Sequence, residues 1–422
     1  MGYACACGLF VLLGLVNGRC DNVTGFEASG TSNMNKAELI EKLALDRLLV
    51  VPAADPPHKA LAAGSPTPEE RLELTRLAMA DLPWVQVLDL ELRRAGKSYT
   101  SDTLRALAGR YPGQPLYLIM GTDMFLSLLQ WHEPEVITAL ASVAVFSRQN
   151  GLEEDIERMA RKLRQEHGAT VYIIPGAPVE VSSTEVRNLL AERKGRDKLP
   201  AAVYSEIIRN RFYGAKPELE WLRKKAYSYL KPKRVAHVRG VEQEAVRLAE
   251  RWGVFWEDAA EAAICHDITK KYSHEDQLRL CARYGIIADD YERSSEKLLH
   301  ARTGAALAGE IFGLSENVLS AIRWHTTGRA GMTDLERITY LADYIEPNRS
   351  GFPGLSELRA TCYEDLDAAM ELAMRMSLDE VRGRGQEPHN NTREGWLWYR
   401  RALLEKGVSP VHAEGVPDDF VN

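Results

Sequence analysis

Between Asp46 and Tyr213 the chain alternates short β-rich runs with amphipathic helical stretches, and from Leu219 onward that alternation stops. No other feature limits the fold as strongly. Alternating strands and helices pack as a parallel sheet covered on both faces, whereas a succession of helices must find its core in other helices. Strands are predicted over Arg47–Val51, Val85–Leu88, Leu116–Met120, Ser142–Phe146 and Thr170–Ile174. Helices are predicted between them over Pro68–Met79, Thr100–Ala108, Asp123–Leu129, Leu152–His167 and Ser183–Ala191. Gly214–Glu218, with Pro217, reads as a linker. Beyond it Trp221–Tyr229, Val241–Arg251, Asp258–His266, His274–Tyr284, Lys297–Ile311, Asn317–His325 and Glu336–Ile345 read as helices. A length of 422 residues also suits two cores better than one. The expected fold is a doubly wound α/β domain over 36–214 and an all-α domain over 219–422, preceded by an atypical segment, 1–35.

The helical part carries imidazoles and carboxylates in short recurring settings: His237, the pair His266-Asp267, His300, His325 and Asp343. Most of the chain's ten histidines fall in this region, which unrelated core or surface residues would not produce. Such ligands suit iron, manganese or zinc better than magnesium. A metal set of this kind makes a hydroxide available at neutral pH for attack at phosphorus. His237 lies on one helical stretch, His266-Asp267 ends another, and Asp343 lies on a third. His300 and His325 are placed to add a second ion, so the second half reads as a metallohydrolase. His274, in a polar helix start, reads as solvated.

Composition narrows the partners. A net charge of −7 argues against a sequence-independent grip on DNA or RNA. No apolar run approaches the roughly 20 residues of a membrane span. Six cysteines without zinc-ribbon spacing fit a reducing cytoplasm. In the first 35 residues, Gly8–Val16 is apolar, but no Lys or Arg precedes it and Asn17-Gly18-Arg19-Cys20 is a poor cleavage site. That run reads as a buried strand, or as a segment foreign to the fold, rather than as an export signal.

In the α/β part, Asp55-Pro56-Pro57-His58-Lys59 follows a strand, at the sheet edge where open α/β folds bind ligands. Gly121-Thr122-Asp123 follows another strand and opens a helix, whose free N–H groups suit an anion. Val181-Ser182-Ser183-Thr184 with Arg187 is a capped helix start able to hold phosphate. Each alone is more simply a cap or a tight turn. Together with Ser98-Tyr99-Thr100, Asp102-Thr103 and Trp131, they resemble in type and order the motifs of bacterial nicotinate-mononucleotide adenylyltransferases, from Ala37 to Tyr213. The resemblance implies a Rossmann-like nucleotidyltransferase fold that joins nicotinate mononucleotide to ATP, with magnesium, giving deamido-NAD and pyrophosphate. It implies that His58, Lys59, Thr100 and Trp131 surround the nicotinate nucleotide. Ser182, Ser183, Thr184 and Arg187 would hold ATP phosphates, and Asp123 would lie near the ATP ribose.

The chain departs from that family at its start. The family opens with a strand, a Gly-Gly-Thr-Phe-Asp/Asn-Pro turn and a His-x-Gly-His motif whose histidines hold the ATP phosphates. Here the first histidine is His58. Gly30-Thr31-Ser32-Asn33 resembles a fragment of the turn, but Met34-Asn35-Lys36 leads on without a histidine. Losing one transition-state donor costs about 3 kcal/mol, so adenylyl transfer is expected to be weak or absent.

The helical part has no such gap. His-Asp-Ile-Thr-Lys (266–270), Trp-His-Thr-Thr-Gly-Arg-Ala-Gly-Met (324–332) and Leu-Ala-Asp-Tyr-Ile-Glu-Pro-Asn-Arg (341–349) resemble the symmetrical dinucleoside tetraphosphatases of the HD-domain superfamily, over Leu219–Leu404. A degenerate His389-Asn390-Asn391-Thr392 lies near the end of that match. The resemblance implies iron-dependent cleavage of diadenosine tetraphosphate into two ADP, and homodimers. His237, His266, Asp267 and Asp343 would bind a first metal, and His300 and His325 a second. Lys270 and Arg349 would neutralise phosphate charge, with Lys271 as the alternative to Lys270. Three other readings stay open: a fully active bifunctional enzyme, an HD phosphodiesterase acting on cyclic dinucleotides or monophosphates, and a nucleotide-binding sensor.

Overall fold

The aliphatic runs of the first half line up as one sheet. A computed structural model describes residues 10–15, 45–55, 64–94, 96–148, 151–176 and 183–409, and they divide between two compact units, Met1–Lys216 and Pro217–Asn422. In the first unit the strands are β1 (Phe10–Leu15), β2 (Arg47–Pro52), β3 (Val85–Val87), β4 (Leu116–Gly121), β5 (Ser142–Arg148) and β6 (Val171–Gly176), in the order β3-β2-β1-β4-β5-β6. The helices are α1 (Pro68–Met79), α2 (Thr100–Arg110), α3 (Thr122–Leu126), α4 (Pro134–Leu140), α5 (Glu153–His167), α6 (Ser183–Ala191) and α7 (Ala201–Arg209).

Side chains alternate across a strand, and both faces of this sheet are covered. Leu49, Val51, Leu118, Met120, Val143 and Val145 share one core, while Leu48, Val50, Ile119, Ala144 and Ile174 share the other. Burial of each such Val, Leu, Ile or Met side chain is worth about 1.5–3 kcal/mol. This is the doubly wound architecture expected, with one correction. β2 through β6 run parallel, but β1 runs antiparallel to both of its neighbours, with Leu15 opposite Arg47 and Leu116. An aliphatic run satisfies a ladder in either direction, so hydrophobic pattern alone does not report strand polarity. The carboxyl end of β1 consequently lies at the edge opposite the carboxyl ends of β2 and β4.

The second unit is helical: α8 (Leu219–Ser228), α9 (Pro232–Trp252), α10 (Trp256–Cys265), α11 (His274–Arg283), α12 (Asp290–Arg293), α13 (Glu296–Phe312), α14 (Glu316–Trp324), α15 (Asp334–Ile345), α16 (Leu355–Glu364), α17 (Leu366–Gly383) and α18 (Asn390–Glu405). Pro232 opens α9 and Gly253, at φ 70°, closes it, so α10 folds straight back along α9. Beyond its first turn helix α10 is buried all round: Ala259, Ala260, Ala262, Ala263, Ile264 and Cys265 are each 0% exposed. Small side chains let α9, α14 and α15 approach it closely. Thr333 and Glu336 form a capping box that starts α15. Among the described residues no helix is long and apolar enough to cross a membrane.

Candidate functional site

The Ala-rich helix α10 delivers His266 and Asp267 at its carboxyl end, into the middle of the helical unit. Four other residues reach the same point: His237 from α9, His300 from α13, His325 from the end of α14 and Asp343 from α15. His266, Asp267 and His300 are 0% exposed. Asp267 is the centre of the cluster. Its Oδ2 lies 3.3 Å from His266 Nε2 and 4.0 Å from His237 Nε2, and its Oδ1 lies 3.1 Å from His300 Nε2 and 3.7 Å from His325 Nε2. Asp343 Oδ1 lies 3.0 Å from His237 Nε2. Within His237, His266 and Asp343, and again within His266, Asp267 and His325, one ligand atom per residue lies within 4.8 Å of the others.

The electrostatics suit cation binding. Burial pushes the Asp267 carboxyl up, but the imidazoles of His266, His300 and His325 outweigh it and hold it well below the usual carboxylate range. Burial likewise raises Asp343, and His237 and His266 overcome that. Burial, and after it the Lys270 charge, push His300 down to about 3. Ionised carboxylates and neutral imidazoles are the protonation states that ligate metals. His237 Nε2, His266 Nε2, Asp267 Oδ1 and Asp343 Oδ1 are all buried without a hydrogen-bond partner. Such atoms cost about 1–3 kcal/mol each when left unsatisfied, and a divalent cation would satisfy all four.

Positive groups flank the cluster. Lys270 Nζ lies 3.0 Å from His300 Nε2 and 3.7 Å from Asp267 Oδ1, whereas Lys271 points away, donating to the Ser228 carbonyl. Arg349 lies 3.8 Å from Asp343. Two neighbours escaped sequence reasoning. Arg234, one turn before His237, donates to Asp267 Oδ2, and Glu346 meets His237 Nδ1. For Arg234 the signal was its i−3 spacing from His237. His389 stands apart from the cluster, capping α18 and meeting Asp289.

In the α/β unit the described candidates sit on separate elements. Thr100 starts α2, Asp123 is exposed in the first turn of α3, and Trp131 donates to Ser127 Oγ. Ser183 and Thr184 start α6, and Arg187 donates to Thr184 Oγ1 while lying over the Tyr213 ring. His58, Lys59 and Ser182 lie outside the described residues. At the end of β2, Ser98 Oγ accepts from the N–H groups of Ala54 and Asp55, and buried Arg71 donates to the carbonyls of Ala53, Ala54 and Pro66. These bonds fix the point from which the Asp55-to-Lys59 segment departs.

Comparison with known proteins divides the chain in the same way. A cytidylyltransferase-like family matches residues 37–189 and the HD domain matches residues 234–348. A probable nicotinate-nucleotide adenylyltransferase of Geobacter metallireducens is 35% identical over 191 residues, which are 42% of this chain and 88% of the relative. Symmetrical bis(5'-nucleosyl)-tetraphosphatases match as well. That of Halalkalibacterium halodurans is 40% identical over 189 residues, 44% of this chain and 98% of the relative. That of Bacillus subtilis is 44% identical over 138 residues, 32% of this chain and 73% of the relative. An HD domain implies a divalent-metal site, and the ligand groups above fit one.

Proposed function

This chain joins a member of the nicotinate-nucleotide adenylyltransferase family to a member of the symmetrical bis(5'-nucleosyl)-tetraphosphatase family, and on that premise we propose that it hydrolyses diadenosine tetraphosphate to two ADP, with iron in the helical unit. The observation that carries this reading is Asp267, buried at the centre of four imidazoles with one oxygen toward each pair. His237, His266, Asp267 and Asp343 would hold one ion, and His300 and His325, with the second oxygen of Asp267, another. Bound metal supplies a nucleophile at neutral pH and neutralises phosphate charge.

The chain's own residues do the rest. Arg234 fixes Asp267 so that both of its oxygens stay aimed at imidazoles. Lys270 and Arg349 present positive charge beside the cluster, which suits a substrate whose tetraphosphate bridge is a polyanion. The fold shields the ligands while leaving Lys270 and Arg349 partly exposed, at 35% and 32% of their side chains. Phosphate can therefore approach from that side.

The adenylyltransferase unit is, in this reading, a nucleotide-binding domain with impaired transfer. No histidine precedes His58 in the sequence. The carboxyl end of β1 faces away from the edge where β2 and β4 end, so a turn following β1 does not begin at the ligand edge. ATP with magnesium, and nicotinate mononucleotide, would still meet Thr100, Asp123, Trp131, Ser183, Thr184 and Arg187. A fully bifunctional enzyme is the second reading, favoured by the match over 88% of an adenylyltransferase relative. We place the protein in the cytoplasm, as a homodimer; light scattering tests the latter.

Paired assays decide between the readings. One holds diadenosine tetraphosphate and iron(II) under reducing conditions, the other nicotinate mononucleotide, ATP and magnesium. ADP release that disappears in a His266→Ala, Asp267→Ala variant, without deamido-NAD in the second tube, is the expected result. Deamido-NAD at a rate typical of an intact adenylyltransferase would favour the second reading. Turnover of a cyclic dinucleotide with none of the tetraphosphate would overturn the substrate assignment.

A further inference from the structure

Three of the four clustered histidines are oriented in one way. Nδ1 of His266 donates to the carbonyl of Ala263 at 2.6 Å, that of His300 to Lys297 at 2.7 Å and that of His325 to Ile322 at 2.7 Å. Each acceptor lies three residues back on the same stretch of chain, so local backbone sets the ring. His237 departs from this pattern. Its Nδ1 lies 3.2 Å from Oε1 of Glu346, which is distant in sequence and 2% exposed. A carboxylate can only accept from the ring, so Glu346 favours a proton on Nδ1 and leaves Nε2, which faces Asp343 at 3.0 Å, as the nitrogen to bind an ion.

Sequence explains how the carboxylate comes to be there. A residue before proline is disfavoured in the helical region. Glu346 precedes Pro347 and leaves α15 at φ −50° and ψ 149°. Its Oε2 accepts from the Asn348 N–H at 2.6 Å, and its carbonyl accepts from Arg359 Nη2 at 3.0 Å. Facing it on α9 is Gly240, where an added Cβ would lie 2.3 Å from Glu346 Oε2 and 2.9 Å from Asn348 Nδ2. Glycine inside a helix costs about 1 kcal/mol relative to alanine. At this position it makes room for the carboxylate.

We infer that Glu346 is a positioning residue that fixes the tautomer and aim of His237 for metal binding, and that Gly240 provides the space it occupies. The inference rests on the reading of His237 as a ligand. A carboxylate behind a ligating histidine raises the basicity of the ring and holds its orientation, and losing such a partner typically costs about 10- to 100-fold in metal affinity.

The test titrates manganese(II) into the metal-free full chain and reads free ion by electron paramagnetic resonance. Glu346→Ala should weaken binding about tenfold or more, Gly240→Ala should weaken it in the same direction, and Glu346→Gln, which keeps an acceptor oxygen, should recover most of the affinity. Glu346→Ala binding as tightly as wild type, while His237→Ala is weakened, overturns the inference and leaves the ligand reading intact. His237→Ala binding as tightly as wild type removes both. Nitrogen-15 NMR of the histidines in the metal-free wild-type chain gives an answer free of folding defects in any variant. A proton on Nδ1 of His237 is expected, and a ring protonated at Nε2 alone overturns the inference.

Discussion

In the helical unit six ligand-type side chains converge from five helices, and three of them are 0% exposed. In the α/β unit the described candidates are spread over the first turns of α2, α3 and α6 and a nearby tryptophan, with Asp123 and Thr184 exposed. A site made of helix-borne groups is complete once the helices pack. A site strung along a sheet edge needs its loops and the correct polarity of every strand beneath them. A local change in the first strand can therefore cripple the second kind of site while its core stays intact.

The contrast can be broken by experiment. Removing the centre of the helical cluster with His266→Ala and Asp267→Ala should lower ADP release by at least the roughly hundredfold that a lost charge-stabilising group costs. Persistent release would mean that the cluster is not the reaction centre. Replacing the residues before Ala37 with a Gly-Gly-Thr-Phe-Asn-Pro-x-His-x-Gly-His start should raise deamido-NAD formation by roughly a hundredfold. An unmodified chain that already matches the graft would erase the difference between the units.

Two smaller effects sharpen the comparison. Lys270→Met should lower kcat/KM for the tetraphosphate by roughly tenfold, the low end of a charge-assisted hydrogen bond worth about 1.5–3 kcal/mol, while Lys271→Met should leave it unchanged. Equal losses would contradict the placement of Lys270 beside His300 and Asp267. Least of all should be the contribution of Glu133, whose carboxylate pairs with Arg105 at 2.6 and 2.8 Å. The Arg105 hydrogen bond lowers its pKa from 4.5 to about 2. A depressed folded-state value stabilises above the unfolded value and is lost as pH falls from about 4.5 toward 2. Solvent screening keeps that loss small. Acid titration followed by circular dichroism should show a slightly shallower decline for Glu133→Gln, and an identical curve would show that the pair contributes nothing.

Sequence periodicity conveyed the strands β2 to β6 and most helices, because aliphatic runs and amphipathic spacing are local signals. Helices α4, α7, α12, α16, α17 and α18 went unpredicted, although in α7 Val203, Tyr204, Ile207 and Ile208 carry the spacing of a buried face. The polarity of β1 was illegible for the reason given above: its pairing is a tertiary fact. In the site, the His-Asp residues were legible as types in recognisable settings. Glu346 was not, since its role depends on Pro347 turning the chain and on Gly240 standing in a helix 106 positions earlier in the sequence. Lys270 and Lys271 were separable only by the path of the turns that follow α10.

The tethering of three rings to their own backbone carbonyls has a thermodynamic consequence. Rotamer freedom of His266, His300 and His325 is surrendered as the chain folds, so ion capture requires little further ordering. The metal-free fold instead carries the strain of polar atoms withdrawn from water without partners. Occupancy should thus appear as heat resistance. A ligand present at 100 times its Kd raises stability by about 2.7 kcal/mol. Calorimetry of the full chain with increasing manganese(II) should move one melting transition upward with the logarithm of concentration and leave the transition of the α/β unit where it was. Two transitions that move together, or neither moving, would mean that the pocket was not waiting for an ion.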